Sequence, residues 1–202
     1  MFLRIVVEKT VDNVNNLFES FCIVFWGVYM LHIFKSFPEL NIEQLLNVYS
    51  QIIMENSRAL SSDFSEWERR IKAEDDFISY VREEFFKQTE AVYAVWSSDG
   101  SYKAVLRLEP YSDDGLLLEA LETAPEARKQ GYAFLLMNEV IAHLQSSKWN
   151  CVYSHVHKRN IPSLKLHEKC GFQKISDSAK FIDGSVSQLS CTFCYYLKKS
   201  IQ

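Results

Sequence analysis

The stretch that decides the fold is residues 118–133, which read Leu118-Glu119-Ala120-Leu121-Glu122-Thr123-Ala124-Pro125-Glu126-Ala127-Arg128-Lys129-Gln130-Gly131-Tyr132-Ala133. It predicts a strand that ends at Pro125, a short polar turn, and a helix that opens with small residues. The first turn of a helix has backbone N–H groups without intrahelical partners, at the positive end of the helix dipole. Small residues such as Gly131 and Ala133 let a pyrophosphate approach those N–H groups closely. The stretch therefore predicts a phosphate-binding turn.

Two other phosphate-binding loops are excluded by what this stretch lacks. A Walker loop needs a second glycine and a Lys-Ser or Lys-Thr pair, and the dinucleotide fingerprint needs three spaced glycines. The chain contains only six glycines, so the presence of one at position 131 supports the interpretation as a phosphate-binding turn. From these residues alone, an ordinary tight strand-to-helix turn is the alternative.

The segments around the stretch predict a mixed sheet. Strands are expected at residues 91–96, 102–109 and 116–123, and turns at Ser98-Asp99-Gly100 and Asp113-Asp114-Gly115 make these strands antiparallel. A helix over residues 128–147 and a strand over residues 151–157 follow, and such a crossover makes its two strands parallel. Asn160 is expected to cap a short helix that ends at Gly171. The last strands are expected at residues 172–175 and 191–197.

The first 90 residues predict a short strand at residues 2–7 and two helices. The first helix follows Asn41, and the second begins near Ser62 or Asp63. The apolar stripe of the second helix is expected to face the core and consists of Phe64, Trp67, Ile71, Ile78, Val81 and Phe85. The apolar stretch at residues 21–34 is shorter than the about 20 residues of a membrane span, which favours a buried helix or strand. No break in composition divides residues 1–202 into two domains.

Composition and charge restrict the kinds of molecule that the protein is expected to bind. The formal net charge is −4 and no long Lys/Arg block is present, which argues against a nucleic-acid partner. The mild acidity suits a cationic acceptor such as an amine. The five cysteines have irregular spacing and indicate free thiols in a reducing cytoplasm: Cys22, Cys151, Cys170, Cys191 and Cys194. No second cysteine pair completes a zinc site, and His155 and His157 lack suitable partners, so no metal is expected.

Two motifs in the second half of the chain resemble one family. Arg128-x-x-Gly131-x-Ala133, after a strand and Pro125, resembles the coenzyme A pyrophosphate loop of the GNAT superfamily of N-acetyltransferases, whose pattern is Arg/Gln-x-x-Gly-x-Gly/Ala. The second segment is similar to that family's Asn-x-x-Ser-x-x-Leu-Tyr-x-Lys-x-Gly-Phe and reads Asn160-Ile161-Pro162-Ser163-Leu164-Lys165-Leu166-His167-Glu168-Lys169-Cys170-Gly171-Phe172. The resemblance covers residues 90–199, and residues 1–89 correspond to the family's variable helical region on the acceptor side.

The resemblance implies an α+β GNAT fold with a central, mostly antiparallel sheet of six to seven strands, a parallel β-α-β crossover and flanking helices. It also implies a cytoplasmic N-acetyltransferase with acetyl-coenzyme A (acetyl-CoA) as cosubstrate. In such an enzyme the amine attacks the thioester directly, through a tetrahedral intermediate. The residues implied to bind acetyl-CoA are Leu121, Glu122, Thr123, Arg128, Lys129, Gln130, Gly131, Tyr132, Ala133, Asn160, Ser163 and His167.

Three side chains are candidates for proton transfer. Glu119 and Glu122 are candidate bases, and the resemblance favours Glu119. Because they lie three residues apart on a strand, they are expected to point to opposite faces. His167 stands where many relatives carry the tyrosine that is the usual candidate acid for the leaving thiolate. An imidazolium is able to donate a proton, and packing beside the pantetheine arm is the alternative.

Three functions are open at this point. The first is acetylation of a primary amine on a small molecule, and the second is acetylation of a protein lysine or N-terminus. The third is a non-catalytic acyl-CoA sensor or interaction module. The expected partners are acetyl-CoA and a small amine acceptor. Neither nucleic acid nor a membrane is expected as a partner, and a homodimer is compatible with the sequence. Four aromatic residues are candidates for an acceptor pocket, although such residues more often lie in the core: Tyr49, Trp67, Phe77 and Tyr80.

Overall fold

A computed structural model of the chain describes residues 29–61 and 63–197. The strands are β1 (Tyr29–Phe34), β2 (Val92–Ser98), β3 (Ser101–Ser112), β4 (Gly115–Thr123), β5 (Cys151–His157), β6 (Gln173–Ser176), β7 (Ala179–Lys180), β8 (Val186–Ser187) and β9 (Ser190–Tyr196). The α-helices are α1 (Ile42–Ser57), α2 (Glu66–Glu83), α3 (Tyr132–Leu144) and α4 (Ile161–Lys169). The strand expected at residues 2–7, Cys22 and the first part of the apolar stretch lie outside the described residues. The end of that stretch forms β1, one of the two forms expected.

Seven strands form one sheet in the order β1-β2-β3-β4-β5-β9-β6, and β7 and β8 form a separate hairpin. All neighbouring pairs of the large sheet are antiparallel except β4 and β5, which are parallel. The turn between β2 and β3 has positive φ at Asp99 (52°) and Gly100 (74°), a conformation that Asp-Gly sequences favour in two-residue hairpins. The predicted mixed sheet with one parallel crossover is confirmed.

Two hydrophobic cores lie on opposite faces of this sheet. Leu136 and Val140 of α3 are fully buried in the first core, and Val48 of α1 is fully buried in the second. Ala104 and Leu106 of β3 belong to the first core and Val105 between them to the second, because neighbouring side chains of a strand point to opposite faces. The sheet is therefore covered on one side by α3 and on the other by α1 and α2.

Side-chain caps fix where the helices of the second face begin. The Oδ1 of Asn41 accepts a hydrogen bond of 3.1 Å from the N–H of Gln44, as expected for the cap of α1. Helix α2 begins at Glu66 rather than near Ser62 or Asp63, because Ser65 and Glu68 form a capping box. In the described segments, no helix is long and apolar enough to cross a membrane.

The apolar stripe of α2 enters the core only in its second half. Val81 and Phe85 are fully buried, whereas Phe64, Trp67 and Ile71 are 45 %, 70 % and 38 % exposed. The expectation that the whole stripe faces the core is therefore wrong for its first half. Helical periodicity marks one apolar face of a helix, but it does not reveal how far a packing partner extends along that face.

The four described cysteines are buried free thiols in or beside the sheet: Cys151, Cys170, Cys191 and Cys194. In the register of β5 with β9, Cys191 lies opposite Val156 and Cys194 lies opposite Tyr153. Residues three apart on a regular strand point to opposite faces, so these two thiols do not face one another. The Cys-x-x-Cys sequence is part of β9, as the strand interpretation predicts.

Candidate active site

Strands β4 and β5 part from each other midway through the sheet. They are paired from Gly115 with Cys151 to Leu118 with Ser154, whereas β4 continues to Thr123 and β5 to His157. Among the described residues, no strand pairs with this edge of β4 beyond Leu118. Its backbone N–H and C=O groups can bind an extended ligand in the way they would bind an added strand. The resulting gap is the first element of the candidate site.

An extra residue in β4 turns the two predicted bases toward the same face. The register pairs Arg107 with Glu119 and Val105 with Glu122, so β4 has one residue more than β3 between these pairs. Ala120 has a φ of 49°, in the left-handed region, which marks a β-bulge. The expectation of opposite faces is therefore wrong, because the bulge interrupts the regular alternation of side chains. Both carboxylates project toward the face that carries α1 and α2.

Helix α3 begins at Tyr132 rather than at residue 128, and Gly131 is its N-terminal cap. Lys129 and Gly131 have φ values of 62° and 87°, and this left-handed backbone delays the start of the helix. The first backbone bond of the helix runs from the N–H of Leu135 to the carbonyl of Gly131 at 3.0 Å. A Cβ atom built on Gly131 would meet no atom within 4 Å. The loop therefore presents an open helix N-terminus, which suits an anion.

The side chain of Arg128 turns back onto the protein. Its Nη2 lies 3.1 Å from Oε1 of Glu122, its Nη1 donates to Oε1 of Gln51, and its Nε donates to the carbonyl of Thr123 at 3.4 Å. The guanidinium thus links the loop to β4 and to α1. Glu122, one of the two predicted bases, is the carboxylate of this link.

Glu119, the other predicted base, forms an ion pair with Arg107. Nη2 of Arg107 lies 2.6 Å from Oε1 of Glu119, and the two side chains are 12 % and 28 % exposed. The guanidinium lies over the rings of Tyr80 and Phe85, at 4.9 Å and 5.3 Å from their centres. Aromatic faces and a carboxylate together hold the guanidinium in its largely buried position. Glu119 keeps partial access to solvent.

Sequence reasoning missed a third carboxylate on this face. Glu109 is 4 % exposed, and its Oε2 accepts a hydrogen bond of 2.6 Å from Nε2 of Gln88. Burial, and then the negative charge of Glu119, raise the pKa of Glu109. The signal was present in the sequence, because Arg107 and Glu109 are two apart on β3 and share a face. Two charged residues on one face of a largely apolar strand indicate a joint site.

Helix α4 places His167 in the core. Oδ1 of Asn160 accepts from the N–H of Ser163 at 3.2 Å and caps the helix, as expected. His167 is 2 % exposed, and its Nδ1 donates to the carbonyl of Ser163 at 2.8 Å. Its Nε2 then accepts from the hydroxyl of Ser154 at 2.9 Å. Burial lowers the pKa of His167. This environment favours the packing alternative over an acid that faces the gap.

A pocket of about 360 Å³ lies between α1 and α2, over the bulge of β4. Arg107 and Ala120 form its floor. Its walls are aromatic and aliphatic side chains: Tyr49, Ile52, Ile53, Leu60, Ala73, Phe77 and Tyr80. Two exposed polar residues, Asn56 and Asp76, complete the lining at the rim. Three of the four aromatic candidates therefore line the pocket, whereas Trp67 lies over a shallower depression outside it.

The histidines of β5 bind neighbouring groups. Nε2 of His155 lies 2.9 Å from the carbonyl of Lys180, and its Nδ1 lies 3.2 Å from the hydroxyl of Thr192. Nδ1 of His157 accepts from the N–H of Arg159 at 3.1 Å. Within residues 29–61 and 63–197, no group of three or more His, Cys, Asp or Glu is arranged to hold a metal ion.

Comparison with known proteins assigns the family. The model of the "Acetyltransferase (GNAT) family" matches residues 56–172, which is more than half of the chain. The chain belongs to the GNAT acetyltransferase family, and this membership supports acetyl transfer as its reaction class. No curated protein matches the chain in sequence.

Solved acetyltransferases share the fold at low sequence identity. An acetyltransferase from Streptococcus agalactiae is 17 % identical with a TM-score of 0.59, covering 86 % of this chain and 100 % of its own. The N-acetyltransferase PseH of Campylobacter jejuni, in complex with acetyl coenzyme A, is 16 % identical with a TM-score of 0.53, covering 85 % and 100 %. The PaiA N-acetyltransferase of Thermoplasma acidophilum, in complex with coenzyme A, is 14 % identical with a TM-score of 0.55, covering 82 % and 98 %. The predicted GNAT fold is confirmed.

Proposed function

We propose that the protein is an acetyl-CoA-dependent N-acetyltransferase that acts on the primary amine of a small molecule. The proposal rests on three features that lie together at β4: a gap, an open helix end and a pocket. The gap beyond Leu118 and the open helix end at Gly131 lie at the two ends of the loop that follows β4. The pocket over Ala120 reaches the same strand from the α1–α2 side. The gap and the helix end suit a long thioester substrate, and the pocket suits an acceptor.

The backbone of β4 and of the following loop would hold acetyl-CoA. We assign Leu121, Glu122 and Thr123 to the pantetheine and acetyl portions, and the N–H groups of residues 129–133 to the pyrophosphate. The open space at Gly131 fits a phosphate group there. Acetyl-CoA supplies the thioester, and an N–H of the β4 edge would stabilise negative charge on its carbonyl oxygen. Asn160 and Ser163, at the start of α4, would contact the pantetheine arm.

Among the predicted bases, Glu119 suits the acceptor better than Glu122. It follows Leu118, where the gap begins, and precedes Ala120, which lines the pocket. Its partial exposure lets a water molecule or the ammonium group reach its carboxylate. Glu122 is paired with Arg128, and we assign both residues to positioning the loop. We assign His167 to packing α4 against β5.

The size of the pocket favours a small acceptor over a protein. Its volume of about 360 Å³ lies near the lower end of the roughly 300–1,000 Å³ found for small-molecule sites. In this proposal residues 1–89 form the acceptor side of a single domain, and residues 90–199 bind the cofactor. That the protein forms a homodimer stays a prediction.

The test is calorimetric titration with acetyl-CoA, followed by an amine screen that counts released thiol. Micromolar binding with thiol release from small amines supports the proposal. Release only with peptides would move the function to protein acetylation, and binding without release from any acceptor would indicate a sensor. Absence of binding by the folded protein would overturn the proposal. Light scattering of the same sample gives the oligomeric state.

A further inference from the structure

The lining of the pocket over Ala120 indicates which amines the proposed enzyme takes. Resting on the proposed function, we infer that the acceptor is a monoamine borne on an aromatic or branched aliphatic body, without a carboxylate or a second ammonium. The wall, the floor and the rim of the pocket each restrict the acceptor.

The wall of the pocket consists mainly of rings and aliphatic groups, and its hydroxyls are those of Tyr49 and Tyr80. The rings of Tyr49 and Phe77 lie 4.9 Å apart, and Ile53 beside them is buried. The hydroxyl of Tyr49 already donates to the carbonyl of Ala120, and burial raises the pKa of Tyr49, so the phenol stays neutral. An apolar body gains free energy against this wall. A hydroxylated sugar would lose its bonds to water there without replacement.

The floor of the pocket carries a guanidinium that is already paired. Arg107 is ion-paired with Glu119 at 2.6 Å, so the guanidinium is already neutralised toward a substrate carboxylate. Glu109 lies two residues along the same face of β3, but it is buried against Gln88 and does not line the pocket. A substrate carboxylate would therefore be desolvated at the floor without an unpaired cation to bind.

The acidic residue at the rim of the pocket is already paired with a lysine. Asp76 is the acidic residue of the rim, and its Oδ1 lies 3.0 Å from Nζ of Lys72. Between Asp76 and the floor lies the apolar wall, where an unpaired ammonium is unfavourable. A diamine would therefore have to displace Lys72 or place its second charge against hydrocarbon.

Two matched pairs of amines test this inference in the thiol-release assay. Phenethylamine and phenylalanine differ by one carboxylate, and butylamine and putrescine differ by one ammonium. We expect kcat/KM to be about ten- to a hundredfold higher for the first member of each pair, because each added charge meets an unsuitable part of the pocket. Phenethylamine should also exceed glucosamine by at least about tenfold. Equal or reversed rates within either pair would overturn the inference.

A substitution in the wall should reverse the preference. Ile52 lines the pocket and is 37 % exposed, so Ile52→Asp places a carboxylate in the wall without burying it fully. We expect kcat/KM to fall about tenfold for phenethylamine and to rise for putrescine. The matched control is Met54→Asp, because Met54 is 43 % exposed on the same helix and lies outside the pocket. An unchanged ratio of the two amines in Ile52→Asp would contradict the inference.

Binding measurements separate this inference from the proposed function. Phenethylamine and putrescine are titrated calorimetrically into the protein with coenzyme A present. If no amine is acetylated but phenethylamine binds, and Ile52→Asp weakens that binding, the proposed function fails and the inference on the pocket stands. Tighter binding of putrescine, or no binding of either amine, would overturn the inference itself.

Discussion

The hydroxyl of Tyr49 donates a hydrogen bond of 2.7 Å to the carbonyl of Ala120, and this bond ties α1 to the bulge of β4. The two residues are 71 positions apart in the chain. A left-handed conformation costs an alanine roughly 1–2 kcal/mol, which contacts such as this bond must offset. Ala120 also lines the pocket and lies beside the gap between β4 and β5. The shape of the candidate site therefore depends on a side chain from α1.

We expect Tyr49→Phe to affect both stability and turnover. Loss of the bond to Ala120 should lower the free energy of unfolding by about 1 kcal/mol. It should also reduce kcat/KM about five- to tenfold, because the carbonyl of the bulge and the neighbouring Glu119 lose a fixed position. Urea unfolding and steady-state kinetics measure the two effects.

Tyr102→Phe is the matched control for this variant. The Tyr102 hydroxyl accepts a hydrogen bond of 3.1 Å from the N–H of Asn41, far along the chain from the bulge. Its loss should lower stability by a similar amount and leave kcat/KM unchanged. Equal kinetic losses in both variants would show that the link from Tyr49 to Ala120 has no specific role in the reaction.

We expect Gly131→Glu to reduce acetyl-CoA affinity at least a hundredfold, because its carboxylate would occupy the phosphate position at the start of α3. Gly184→Glu controls for backbone strain: Gly184 has a φ of 85°, close to the 87° of Gly131, and a Cβ at either position meets open space. Calorimetry gives the affinities, and circular dichroism verifies the folds. Similar affinities in the two variants would remove the loop assignment.

We expect Glu119→Gln to lower kcat about a hundredfold or more while acetyl-CoA affinity changes less than about threefold. Glu122→Gln is the same chemical change on the same face of β4. It removes the charge that holds Arg128, so we expect it to weaken acetyl-CoA binding more than it lowers kcat. The opposite pattern would exchange the roles of the two carboxylates.

The buried His167 predicts a pH dependence of stability. Because burial lowers its pKa below the unfolded value near 6.5, the unfolded state takes up a proton first as the pH falls. Its contribution to stability is complete above that value and is lost as the pH falls below it. His167→Gln should therefore flatten the decline in melting temperature between about pH 7.5 and 5.5.

The same variant distinguishes packing from acid catalysis. If His167 only packs, kcat of His167→Gln should stay within about threefold of the original at pH 7.5. A loss of a hundredfold would establish His167 as a proton donor to the thiolate. His157→Gln is the same chemical change at an exposed position of β5 and serves as the control for kcat.

Local sequence signals predicted the strand directions around the crossover and the caps at Asn41 and Asn160. These features depend on residues close together in the chain, where turn and capping chemistry are readable. The bulge at Ala120 was not readable, because alanine is an ordinary strand residue and only the pairing with β3 reveals the extra position. For that reason the relation between Glu119 and Glu122 was predicted incorrectly.

The sequence predicted the loop of the candidate site, but it did not predict which charged residues pair with Glu119 and Glu122. Gly131, as a small residue, predicted an open turn at the start of a helix, although the left-handed backbone delays that helix to Tyr132. The partners of Glu119 and Glu122 come from β3 and from the loop, and no spacing rule connects Arg107 with Glu119. The pocket likewise depends on how α1 and α2 cross the sheet, which the periodicity of each helix does not determine.

The gap between β4 and β5 has a consequence for the abundance of the protein. Only the four register pairs from Gly115–Cys151 to Leu118–Ser154 join the two strands. A molecule bound beyond them would bridge the parts of β4 and β5 that are not paired. A ligand that binds only the folded state at 100 times its Kd adds about 2.7 kcal/mol to the free energy of unfolding. Proteolysis of the purified protein should slow accordingly when acetyl-CoA is added. In the proposed complex, the cellular concentration of acetyl-CoA would then affect how long this protein survives proteolysis as well as how fast it catalyses its reaction.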